Sequence, residues 1–97
     1  MDRKDRKDVI RQYKNAIAQA VLYAFILHRA GASVNEADRD EYMKKYQQHL
    51  QAADAMRRLL PDAAARRTIP KARTEAAGKG EELFAQWMTG NRKEATA

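Results

Sequence analysis

Residues 16–27 read AIAQAVLYAFIL, a run in which Gln19 is the one polar side chain. How this stretch is read decides the fold. Twelve residues of helix span about 18 Å, too little for the ~30 Å hydrocarbon core of a bilayer. A secretory signal would need a basic start, an apolar stretch and a small-residue site, and Ala30-Gly31-Ala32 could supply the last. Against it stand Asp2, Asp5 and Asp8 among the early bases, the fifteen residues before the stretch begins, and Arg29 beside the cleavage site. The spacing favours one long helix instead. Ile10, Tyr13, Ile17, Ala20, Ala24 and Leu27 recur at intervals of three and four, a heptad-like seam over residues 3–30. Gly31 reads as its stop, with His28 and Arg29 suited to the negative end of the helix dipole.

Downstream, Ser33-Val34-Asn35-Glu36 has the form of a capping box, a hydroxyl residue followed three later by Glu. It predicts a second helix over residues 34–60, acidic at its start and carrying Tyr42, Met43, Tyr46, Leu50, Ala53, Met56 and Leu60 at helical spacing. Pro61 disfavours helical geometry at Leu60 and ends it. Residues 61–80 hold both prolines, Gly78, Gly80 and a single large apolar residue, Ile69. They read as a mostly exposed basic connection with helical pieces at 62–67 and 70–77. A short helix follows over 81–89, with Leu83, Phe84, Trp87 and Met88 on one face. Thr89-Gly90-Asn91 closes it and 90–97 forms a disordered tail. The predicted fold is therefore all-α: a single domain, residues 1–97, made of an antiparallel helical hairpin of two long helices plus a short C-terminal helix.

The chain of 97 residues is 44% hydrophobic and 33% charged, a globular but very polar composition. A core of this size is modest, so oligomerisation would help it. The absence of cysteine excludes disulfides, cysteine-ligated metal and thiol chemistry, and agrees with a reducing, cytoplasmic setting. The net charge is +6, and residues 57–79 carry most of it: Arg57, Arg58, Arg66, Arg67, Lys71, Arg73 and Lys79 against Asp62 and Glu75.

Catalysis finds no constellation. Ser33 is the only serine and capping explains it. Gly78-Lys79-Gly80 is too short for a phosphate loop. His28 and His49 have no ligand spacing, and His49, on the face of Tyr42 and Tyr46, is the better placed of the two. The carboxylates of 36–41 form a solvated helix start. The expectation is a non-enzyme without metal or cofactor.

Two features remain. The second half of the first helix is apolar nearly all round: Ala18, Leu22 and Phe25 lie opposite the seam. They need either the Trp87 helix folding back or another chain, including a second copy of this one. The arginines of 57–79 suit an acidic surface. The favoured function is a small protein–protein interaction module, such as an adaptor, chaperone-like subunit or inhibitor. It would dock through Leu22, Phe25 and Trp87 together with Arg57, Arg58, Arg66, Arg67, Lys71 and Arg73. The alternative is a nucleic-acid-binding accessory protein using the same bases on phosphates. Against that stand the lack of interleaved aromatics and the acidic start of the second helix.

Overall fold

The computed structural model describes the backbone of residues 2–96 and the side chains of 2–63 and 66–90. Four helices occur in order, with no strand among these residues: α1 (Arg3–Arg29), α2 (Glu36–Arg58), the single turn α3 (Ala63–Arg66) and α4 (Ile69–Thr96). The hairpin of α1 and α2 and the third long helix give the all-α fold expected.

Helix α1 starts where the Asp2 carboxylate accepts the Asp5 backbone N–H at 2.9 Å, satisfying one of the orphan donors of the first turn. It ends at Ala30, with His28 and Arg29 in the last turn. Gly31 is not a left-handed cap, for no described residue has positive φ. The chain instead tightens into a 3₁₀ turn, Gly31–Ser33. The cap of α2 also differs from the capping-box reading. Asn35, not Ser33, accepts the Asp38 N–H, at 2.8 Å. Ser33 is taken up by the 3₁₀ turn, so the helix begins two residues later than predicted.

The largest correction concerns residues 61–80. Residues 69–80 are not a connection: they form the first half of α4, which continues unbroken through Gly78, Gly80 and Gly90. The predicted helix over 81–89 is the middle of this 28-residue element, and the expected stop at Thr89-Gly90-Asn91 does not occur. Of the predicted tail, the backbone through Thr96 is helical, and the side chains of 91–97 lie outside the described residues.

Helix α1 is the central element. Helix α4 runs parallel to it, as the pairings Tyr13–Arg73, Lys14–Glu75 and Phe25–Phe84 show, and α2 antiparallel, with Tyr42 of its first half against Tyr23 and Ala53 of its second half in one core with Val9 and Tyr13. The molecule is 50 Å long and 21 by 17 Å across. One apolar cluster, around Val9, Tyr13, Ile17, Ala53, Leu60, Ile69 and Ala72, ties the first half of α1 to the end of α2 and the start of α4. A second, around Ile26, Ala30 and Phe84, closes the opposite end. Helix α4 reaches α1 through small residues. Ala72, Ala76 and Gly80, four apart, are all buried, and a Cβ at Gly80 would lie 2.6 Å from Val21 and 2.7 Å from the Ala18 carbonyl oxygen.

Candidate functional site

The two halves of the predicted docking surface fall at opposite ends of the molecule. Leu22, Phe25 and Trp87 do come together, but around Phe84 and inside the chain's own second core. Phe25 tilts against Phe84 at 5.6 Å between ring centroids, with the Arg29 guanidinium 4.3 Å above its ring. Trp87 stacks on Phe84 at 6.1 Å and takes Tyr42 edge-on at 6.5 Å. The face opposite the α1 seam is thus covered by α4 of the same chain, and all three side chains are half-buried. His49 continues this aromatic row by stacking on Tyr23 at 5.8 Å, while His28 is exposed at the end of α1.

The arginines lie at the other end. Twelve residues of α1, from Tyr13 beside Arg73 to Phe25 on Phe84, place about 18 Å between the two levels. Here the fold adds something that segment 57–79 alone does not show. The first half of α1 brings Arg3, Lys4, Arg6, Lys7, Arg11 and Lys14 to the same end, because Val9 shares a core with Leu60 and Ile69. Residues 1–14 and 54–75 together hold twelve Lys and Arg against six Asp and Glu, a net +6. The remainder holds seven of each and is balanced. The whole excess charge of the molecule therefore sits at one end, where its field adds up instead of cancelling.

Several of these cations are already engaged locally. Arg57 and Arg58 bracket Asp54 at 2.8 and 2.9 Å, and Arg57 holds that carboxyl below its ordinary range. Lys14 pairs with Glu75 at 2.7 Å across α1 and α4. Arg66 donates its Nε–H to the Leu60 carbonyl, and Arg73 donates to the hydroxyl of the buried Tyr13 at 3.1 Å. Among the described residues no ion pair engages Arg67 or Lys71, both exposed.

Within this basic end lies one residue the sequence reading passed over. Leu59, 51% exposed, is the most exposed large apolar side chain among the described residues. It follows Arg57 and Arg58, and α3 with Arg66 comes directly after. The sequence carries no signal for it, since only burial separates Leu59 from Leu60. Comparison with protein-family models, curated proteins and solved structures finds no match to this chain. No cluster of metal-ligating side chains occurs among the described residues, and no helix there is long and apolar enough to cross a membrane.

Proposed function

We propose that this protein is a small docking module, not an enzyme, whose basic end seats the acidic surface of a partner protein. The observation that carries the reading is Leu59 standing exposed inside the pole that holds the entire +6 excess. An apolar anchor with a cationic rim matches the anatomy of a protein interface, a water-excluding centre inside a polar border. Arg67, Lys71 and the arginines of the first α1 turns supply the rim, each able to take a carboxylate in a bidentate or charge-assisted bond. The apolar half of the surface therefore moves from Leu22, Phe25 and Trp87, which serve the internal core, to Leu59.

Phosphate binding is the second reading, and one observation favours it. The acidic start of α2, which by sequence argues against nucleic acid, lies at the far end of the molecule from the arginines. The two readings separate through Leu59. In a retention experiment from native-cell extract with nuclease added, the docking reading expects a protein held by the wild type and released by both Leu59→Ser and Arg67→Glu. Phosphate binding expects release by nuclease, a steep salt dependence and indifference to Leu59→Ser.

A further inference from the structure

One flank of α2 carries a second pattern, whose apolar pair neither the core nor the basic end uses. Met43 and Leu50 are 44% and 39% exposed and belong to neither apolar cluster. Scattered exposed apolar residues are ordinary, but these two stand two helical turns apart on one line. The line is Glu36, Arg39, Met43, Tyr46, Leu50, Asp54 and Arg57, spaced three or four throughout. On the helical wheel it is centred about a quarter turn from the seam of Tyr42, His49, Ala53 and Met56 that faces α1.

The order of charges along this line is informative. Each flank of the apolar pair carries an acid and then a base: Glu36 and Arg39 before it, Asp54 and Arg57 after it. Laid parallel on a copy of itself, the stripe puts like charge on like. Laid antiparallel about a twofold axis between Tyr46 and Gln47, it puts Met43 against the partner's Leu50. The same axis sets Arg39 against the partner's Asp54 and Glu36 against the partner's Arg57. A twofold interface must be complementary to itself, and this stripe is so in one orientation and one register.

We infer that α2 is a homodimerisation helix, pairing antiparallel with α2 of a second copy through this stripe. Arg57 exchanges its bond to Asp54 for one to the partner's Glu36. Asp54 keeps Arg58 and gains the partner's Arg39, which leaves the Gly31 carbonyl it holds at 2.7 Å. The axis lies about 17 Å from the end of α2, so the two basic poles of the dimer face outward, about 35 Å apart at least. The inference rests on this flank of α2, and its test reads self-association, separately from what the basic end binds.

Sedimentation equilibrium tests it, with circular dichroism and thermal melting as checks on folding. The wild type is expected at twice its chain mass of 11.1 kDa, and Met43→Asp with Leu50→Asp at the chain mass. Arg39→Glu should weaken dimerisation at least tenfold, and adding Asp54→Lys should recover part of the loss. The register is read with single cysteines, which this cysteine-free chain makes clean. Gln47→Cys, beside the axis, should form an interchain disulfide under mild oxidation, and Gln48→Cys, on the far side of α2, should not. A wild type that stays at the chain mass at every concentration overturns the proposal. So does a dimer indifferent to the Met43 and Leu50 changes, or one that cross-links equally through position 48.

Discussion

Gly80 lies so close to Val21 that a Cβ at position 80 would stand 2.6 Å from both the Cβ and a methyl of that valine, a separation side chains do not tolerate. The missing side chain is what lets α4 lie against the middle of α1. Gly78, two residues earlier on the same helix, has open space where its Cβ would be.

The pair gives an internal comparison for stability. Gly80→Ala gains up to about 1 kcal/mol of helix propensity but incurs an overpacking cost of about 1–3 kcal/mol or more against Val21 and the Ala18 backbone. It should lower the melting temperature. Gly78→Ala meets nothing and should raise it, by about 4–8 °C per kcal/mol gained. Val21→Ala in the Gly80→Ala background should not restore the loss, because the Cβ at position 21 and the Ala18 carbonyl oxygen both stay in place. Equal shifts for the two alanines would contradict the packing described.

Phe84 tests whether α4 closes the far end of the core. It is 8% exposed and touches both Phe25 and Trp87. Phe84→Ala should cost about 3–5 kcal/mol, read by denaturant unfolding. Phe25→Asp should also destabilise, since a carboxylate there enters a half-buried ring cluster. Its nearest compensation is Arg29, so the loss should be smaller than at Phe84. A Phe84→Ala protein as stable as the wild type would place α4 elsewhere.

The pH dependence follows from three carboxylates. Hydrogen bonding from Arg11 holds Asp8 below its ordinary value, that from Arg57 does so for Asp54, and that from Lys14 does so for Glu75. A carboxylate whose folded pKa is depressed adds stability above its unfolded pKa, and that contribution disappears as pH falls through the folded value. The melting temperature should therefore decline as pH drops below the ordinary values of 4.5 for Glu75 and 3.8 for the aspartates. All three are exposed, so the effect should shrink in salt. Glu75→Gln should flatten part of the decline, because it removes the one pair of the three that joins two helices. An acid profile unchanged by Glu75→Gln would contradict the Lys14 contact.

The basic end is predicted to contribute to stability unequally. Arg67→Ala and Lys71→Ala should leave the melting temperature nearly unchanged, as exposed charges contribute little. Arg66→Ala and Arg73→Ala remove bonds to the Leu60 carbonyl and the Tyr13 hydroxyl and should each cost up to about 1 kcal/mol. Parallel thermal melts of the four variants decide this. Identical values would show that neither bond matters to the fold.

The hairpin was legible in the sequence because Tyr13, Ile17 and Ala20 repeat at helical spacing and Pro61 ends α2. The first half of α4 was not. Its buried face is Ile69, Ala72, Ala76 and Gly80, and small residues carry little hydropathy. Gly78 and Gly80 read as breakers, although at position 80 glycine is there to be packed upon. The spacing of four among Ala72, Ala76 and Gly80 was the available signal. The basic pole was half legible: residues 57–79 stood out by composition. The contribution of α1 needed the fold, since Arg3 to Lys14 are interleaved with aspartates in sequence and join the other arginines only in space. Leu59 was hidden by its neighbour Leu60, because only burial distinguishes two adjacent leucines.

In the proposed docking mode the basic end, and not the aromatic end, meets a partner protein. Site-specific photo-crosslinking in the native cell measures this directly, with the photoreactive residue replacing exposed Arg67 at the basic pole or exposed Gln86 toward the other end. A discrete protein adduct is expected from position 67, lost when Leu59→Ser is added, and none from position 86. A protein adduct from position 86 alone, or only nuclease-sensitive adducts from position 67, would contradict it.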